Sequence, residues 1–344
     1  MKKAVYYDVD NFKYEDIGEL TIGSKEVLLK MESCGLCGTD IHKAISKSVP
    51  TPIVLGHEVA GTIVEVGAEV SDYQVGDRVY LAHHVPCFSC KHCRRGHYSL
   101  CPQFTATNID PGGFSEYIRV PELHVKHTMG LIPDDISFEE GAMVEPIACC
   151  LHGFDLIHYY QGDNVLIMGA GQIGILQTQI AKHLFADQVI VSDINPYRLD
   201  KALELGADHV IKADKENVKE RVNEITNGRG VDIVIISSGI GFLLEQAMEC
   251  VSRGGTILVF APFKKEPITI PAHRFFEDEV SIVGSYSSTP YDYKPALELL
   301  KKGVIQVDKM VTHRFPLSEL KEAIQLAHDT EKEVLKVMIE PKGN

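Results

Sequence analysis

The stretch Asn164-Val165-Leu166-Ile167-Met168-Gly169-Ala170-Gly171-Gln172-Ile173-Gly174 decides the fold of this chain. Val165 to Met168 is an apolar run of strand length, and Gln172 to Phe185 has the apolar spacing of an amphipathic helix. Between them, G-x-G-x-x-G puts a glycine wherever a phosphate-binding turn needs one. Gly169 allows the tight turn, Gly171 lets the backbone approach a pyrophosphate, and Gly174 lets the helix pack closely on the strand. Gln172 and Ile173 open the helix, whose N-terminus attracts an anion. Asp193 ends the next β run, where a carboxylate accepts hydrogen bonds from ribose hydroxyls and repels a 2′-phosphate. NAD is therefore expected in preference to NADP. Arg198 has two readings, accommodating a 2′-phosphate or flanking the adenine.

Working outward, the β-α alternation continues. β runs occur at Gln188–Ser192, His209–Ile211, Val231–Ile236, Thr256–Phe260 and Ser281–Gly284, with helices at Pro196–Leu205 and near 215–227 and 241–251. Such repetition predicts a parallel sheet with helices on both faces, a doubly wound α/β domain of the Rossmann type over 151–286. Residues 1–150 read differently. Short β runs at Val27–Met31, Ala60–Gly67, Asp77–Leu81 and Glu116–Pro121 are broken by Gly, Pro and Asp, which predicts a mostly-β domain. The tail, 287–344, holds further helices and a closing strand and is expected to rejoin that first domain.

Composition excludes several function classes. The 344 residues suit about two domains, and Lys+Arg 34 against Asp+Glu 48 leaves a net charge of -14, which repels phosphate backbones and anionic lipid. No apolar run approaches the ~18 residues of a membrane span. Nucleic acid and membrane are not expected partners, and a soluble cytoplasmic chain is expected. Five of the nine cysteines lie at short spacings beside histidines, which favours metal ligation in a reducing compartment over disulfides.

Cys87, Cys90, Cys93 and Cys101 form C-x2-C-x2-C-x7-C within a stretch marked as loop by Pro86, Ser89, Gly96 and Pro102. Four thiolates close a tetrahedral site with no open position, the pattern of a structural zinc ion. Lys91, Arg94 and Arg95 supply positive charge that favours thiolates. An iron-sulfur cluster is the rival, though ferredoxin runs place the next cysteine closer. A second constellation joins Cys37, in Cys37-Gly38-Thr39-Asp40-Ile41-His42, to Gly56-His57-Glu58 from a separate loop. One thiolate, one imidazole and one carboxylate leave a coordination position open, as catalytic zinc requires. Glu145, before Pro146, offers another carboxylate.

Gly56-His57-Glu58-x2-Gly61-x5-Gly67-x2-Val70 resembles the zinc signature of the medium-chain alcohol dehydrogenases. The resemblance extends to Cys37-Gly38-Thr39-Asp40, the four-cysteine lobe (about 85–103), Gly76-Asp77-Arg78-Val79 and the dinucleotide fold, so it spans nearly the whole chain. Phe138–Pro146 and Val311–Leu317 resemble the polyol (sorbitol or L-iditol) dehydrogenases and their threonine and galactitol-phosphate relatives. The resemblance implies a GroES-like catalytic domain at 1–150 and 287–344, two zinc ions per chain, and hydride transfer between a secondary alcohol and NAD. It implies Cys37, His57 and Glu58 as ligands of the catalytic zinc. Glu145 would be a further ligand or the holder of a water. Thr39 and His42 occupy positions that carry a proton relay in the wider family; the alternatives are a capping threonine and a surface histidine.

Where polyol relatives place an Arg beside an aromatic, this chain reads Gly284-Ser285-Tyr286-Ser287-Ser288-Thr289, an uncharged polar run suited to a neutral polyol or cyclitol. The loop between Cys37 and His57 is shorter than in the sorbitol and threonine enzymes. His83, His84 and Phe104–Asn108 are near-site candidates for which a structural role is the preferred reading. A homo-oligomer, tetramer or dimer, is expected from the relatives. Threonine, another amino alcohol or a sugar phosphate is the alternative substrate. A zinc-ribbon binding module and a zinc-free quinone reductase are disfavoured by the nucleotide motif and by Cys37 and His57 respectively. Cys34, Cys149, Cys150 and Cys250 are expected to be small buried residues.

Overall fold

Strand Asn164–Met168 lies inside a six-stranded, wholly parallel sheet, between Gln188–Asp193 on one side and Val231–Ile236 on the other. Beyond these come His209–Lys212 at one edge, and Val251–Val259 then Ser281–Gly284 at the other. Numbered along the chain the order is 3-2-1-4-5-6, the doubly wound arrangement expected from the β-α repetition. Val165 to Met168 and Val189 to Val191 are buried, as a sheet covered on both faces requires. The crossover helices include Gln172–Leu184, Pro196–Glu204, Val218–Ile225 and Phe242–Cys250. Asn195 and Asn217 cap two of them by accepting from the N–H of Arg198 and Glu220.

The structure, a computed structural model, describes residues 1–16 and 18–342. It divides into two units: Met1–Ala148 with Ser288–Lys302 and the stretch from Val307, and Cys149–Ser287 with Gly303–Gln306. Gln306 N–H donates to Gln179 Oε1 at 2.9 Å inside the second unit. The first unit is built on a mainly antiparallel sheet in the order Val311–Pro316, Lys336–Glu340, Val27–Gly35, Glu58–Val66, Arg78–Leu81, Met129–Leu131, with Tyr117–Val120 also pairing Val27–Gly35. One pair in it is parallel, Val311–Pro316 with Lys336–Glu340. A two-stranded ribbon, Lys2–Asp8 with Asn11–Asp16, precedes it.

Two features depart from the sequence reading. Cys37 does not sit in a plain loop: it caps helix Gly38–Ser46. Its Sγ accepts from Thr39 N–H at 3.5 Å and its N–H donates to Asp40 Oδ2 at 3.3 Å. The helix escapes a sequence search because cysteine replaces the usual Ser, Thr, Asp or Asn cap. Strand Val311–Pro316 is also additional, and it carries Arg314 into a two-pronged ion pair with Glu139, Nε to Oε1 at 2.5 Å and Nη2 to Oε2 at 2.8 Å. Cys34, Cys150 and Cys250 are buried as expected, and Cys149 is partly so. Among the described residues, no helix is long and apolar enough to cross a membrane.

Candidate active site

Strand Glu58–Val66 begins at the last residue of the Gly56-His57-Glu58 run, and helix Gly38–Ser46 begins directly after Cys37. These two starts bring Cys37, His57 and Glu58 together, with one donor atom from each inside 4.8 Å of the others. His57 and Glu58 are buried, while Cys37 is partly exposed. Asp40 lies beneath them, 1 % exposed, with Oδ1 accepting from Gly56 N–H at 3.1 Å and standing 3.3 Å from His57 Nδ1. Burial works against a charged His57, but the Asp40 carboxylate and the Cys37 sulfur outweigh it and raise the ring's pKa well above the usual imidazole value. The same negative neighbours favour a metal cation in the proton's place, since metal and proton compete for one lone pair. Glu58 Oε2 pairs with Lys336, whereas Glu58 Oε1 is buried with no partner among the described residues. A soft thiolate, an imidazole and an under-satisfied buried carboxylate fit zinc.

Glu145 is not among those three donors; it is the second residue of helix Val144–Asp155 and only 7 % exposed, so it is no solvated turn carboxylate. Thr39 and His42 lie one turn apart on helix Gly38–Ser46, and both are exposed. The sequence reading did not single out Asp40 for a role, although the spacing Cys-x-x-Asp of a helix cap was its signal. Nor did it find Lys336, which arrives through strand pairing alone. Of the two near-site candidates, His83 lies beside His57 and His84 lies behind it. The His83 ring centre is 4.6 Å from that of His57 and 3.7 Å from that of His84, which in turn faces Phe104 at 5.0 Å. Burial lowers the pKa of both, that of His84 to about 4, so both rings are neutral near pH 7.

The donor atoms of Cys87, Cys90, Cys93 and Cys101 also fall within 4.8 Å of one another. The lobe runs through single turns at Cys93–Arg95, Tyr98–Leu100 and Phe104–Ala106, and Phe104 packs against Cys93 and Cys101. Backbone and side-chain hydrogen bonds from Ser89 lower the Cys87 pKa, while burial and neighbouring sulfurs raise that of Cys93. Crowded thiols pulling in opposite directions are what a central cation reconciles.

In the second unit, Gly169 has φ +107, and a Cβ on Gly174 would stand 1.9 Å from the Gly169 carbonyl oxygen. Those are the turn and the close packing the motif requires. A Cβ on Gly171 would meet nothing within 4 Å, so the space beside it is open to a ligand. Asp193 Oδ2 accepts from Ala170 N–H at 2.6 Å and Oδ1 from Asn195 N–H at 2.8 Å, fixing the carboxylate against the glycine turn. Gln172 and Ile173 form the first turn of the helix, and Arg198 lies in the first turn of Pro196–Glu204, partly buried. These residues fit a dinucleotide.

Comparison with known proteins agrees with both units. Residues 23–133 match the alcohol dehydrogenase GroES-like domain, and 173–302 match the zinc-binding dehydrogenase family. The chain is 35% identical to sorbitol dehydrogenase of Bacillus subtilis (strain 168), over 99% of this chain and 97% of that one. It is 36% identical to D-arabitol-phosphate dehydrogenase of Enterococcus avium, over 98% and 96%. A Sinorhizobium meliloti 1021 protein assigned as a zinc-binding dehydrogenase and bound to NADP superposes with TM-score 0.90 at 30% identity, covering 99% of each chain. The chain thus belongs to the zinc-dependent medium-chain alcohol dehydrogenases, close to the polyol dehydrogenases, and is an oxidoreductase acting on a small-molecule alcohol.

Proposed function

We propose that this protein reversibly oxidises the secondary hydroxyl of a neutral polyol or cyclitol with NAD, holding two zinc ions per chain. The observation that carries the reading is the Cys37, His57 and Glu58 donor set within 4.8 Å, with one Glu58 oxygen unpartnered. Zinc, when bound there, supplies Lewis acidity that lowers the pKa of a hydroxyl. The nicotinamide, when bound, supplies the hydride acceptor.

The chain's own residues do the rest. Cys37 and His57 hold the metal, Asp40 fixes the His57 ring, and Glu58 and Glu145 exchange as the remaining carboxylate ligand or the holder of a water. Thr39 and His42, exposed one turn apart, pass the hydroxyl proton outward to solvent. The backbone at Gly171, Gln172 and Ile173 receives the pyrophosphate, Asp193 accepts from the adenosine ribose, and Arg198 flanks the adenine. Asp193 also repels a 2′-phosphate, which supports NAD. Cys87, Cys90, Cys93 and Cys101 hold the second zinc as a structural ion.

The uncharged run Gly284–Thr289 and the sorbitol dehydrogenase relative support a neutral substrate. The D-arabitol-phosphate dehydrogenase relative supports a second reading, a sugar-phosphate alcohol. We further read the chain as cytoplasmic on its cysteine usage, and as a homo-oligomer, dimer or tetramer, on its resemblance to the medium-chain dehydrogenases. The test is NADH formation against neutral polyols, inositols, sugar-alcohol phosphates and threonine. Turnover confined to neutral members supports the proposal. Turnover confined to phosphates or to threonine overturns the neutral-substrate assignment.

A further inference from the structure

Lys336 and Glu58 are each 0 % exposed, and Lys336 Nζ pairs with Glu58 Oε2 in the interior of the first unit. An ammonium and a carboxylate withdrawn from water cost several kcal/mol each unless they meet in good geometry, so this contact is a specified one. Three features specify it. Strand Lys336–Glu340 pairs with Val27–Gly35 through Met338 opposite Gly35 and Ile339 opposite Cys34, which sets the lysine beside the start of strand Glu58–Val66. The Leu36 carbonyl accepts from Nζ at 3.5 Å. Position 35 is glycine, and a Cβ there would stand 1.9 Å from Glu58 Oε2 and 2.7 Å from Lys336 Nζ. Any larger residue would push the pair apart.

The pair divides the two oxygens of Glu58 unequally. Oε2 is taken by the ammonium, while Oε1 is buried and unpartnered among the described residues. We propose that Lys336 is a positioning residue that pins one oxygen of Glu58, so that this carboxylate serves the Cys37–His57 metal site through its other oxygen alone. Resting on the ligand set proposed above, this adds a control on it. A single-oxygen Glu58 leaves a coordination position for the alcohol, whereas a released carboxylate closes over the metal with both oxygens. Lys336 touches no substrate. It acts through Glu58.

The test is the visible ligand-field spectrum of cobalt(II)-substituted protein, which weakens as coordination number rises. Wild type is compared with Lys336→Met and Lys336→Arg, and Cys37→Ser identifies the bands of this site. The four-cysteine lobe provides an internal check that each variant is folded. The expected result is a severalfold loss of intensity in Lys336→Met, restored by Lys336→Arg and by adding Glu58→Gln to Lys336→Met. If Lys336→Met does not fold, Lys336→Gln takes its place. A lysine variant with intact lobe bands and the wild-type spectrum overturns the proposal. If Cys37→Ser itself leaves the wild-type spectrum unchanged, the ligand set fails instead, so the two failures are distinct.

Discussion

Asp40 Oδ1 stands 3.3 Å from His57 Nδ1 while also accepting from Gly56 N–H at 3.1 Å, so one buried carboxylate orients both the imidazole and the turn that delivers it. A ring nitrogen bonded to a carboxylate leaves the other nitrogen as a fixed, more basic metal donor. Asp40→Asn keeps the shape and removes the charge. Zinc affinity at this site should fall about 10–100-fold, read by chelator competition, with activity falling alongside. Unchanged zinc retention would show that His57 needs no such partner.

Two glycines of one motif separate folding from cofactor binding. In Gly174→Ala the new Cβ would meet the Gly169 carbonyl at 1.9 Å, and the backbone must move. Stability should fall by about 1–3 kcal/mol, measured by denaturant unfolding. In Gly171→Ala the Cβ meets nothing within 4 Å, so unfolding should be nearly unchanged while NAD affinity drops at least about tenfold. Calorimetric titration with NAD that finds wild-type affinity in Gly171→Ala would contradict this placement of the pyrophosphate.

The proposed preference for NAD rests on the charge of Asp193. Asp193→Asn retains an oxygen for Ala170 N–H but no longer repels a 2′-phosphate. The kcat/KM ratio of NAD to NADP should fall by at least about tenfold, a change of about 1.4 kcal/mol. A ratio that does not move would assign the preference elsewhere.

His84 gives a pH dependence with a definite sign. Burial lowers its pKa from 6.5 to about 4, against the smaller opposing effect of its hydrogen bond to the Thr107 carbonyl. Between those values the unfolded chain binds a proton that the folded ring does not, so stability rises with pH there. The contribution is complete above pH 6.5 and is lost as pH falls toward 4. Burial lowers His83 and His124 too, so they act in the same direction. The Tm should decline from pH 7 to 5, and His84→Asn should flatten that decline; an equally steep curve in the variant would remove His84 from the account.

The nucleotide unit was legible in the sequence because its signals are local. Gly169, Gly171 and Gly174 each answer to backbone constraints within one turn, and the strands around them are apolar runs that a covered parallel sheet demands. The four-cysteine cluster was legible because its spacing is itself chemistry, whereas Cys37, His57 and Glu58 were joined only through the family resemblance. What was not legible depends on pairing between distant segments. Lys336 reads as an ordinary lysine until strand Lys336–Glu340 docks beside Val27–Gly35 and sets it against Glu58. Arg314 and Glu139, in the two passages that resemble polyol dehydrogenases, become partners only once Val311–Pro316 is in place. Asp40 was hidden differently, since a cysteine cap disguises the helix that presents it.

The central claim is that two metal sites exist and that only one does chemistry. Zinc content and NAD-linked alcohol oxidation, measured together on wild type, Cys37→Ser and Cys90→Ser, test it most directly. The account predicts two zinc ions in wild type and one in Cys37→Ser, with oxidation lost, unfolding nearly unchanged and NAD still bound. In Cys90→Ser, the lobe ion should go and the Tm fall by several degrees. A Cys37→Ser protein that keeps both zinc ions, or that oxidises alcohol at the wild-type rate, would contradict the assignment of Cys37, His57 and Glu58 as the catalytic centre.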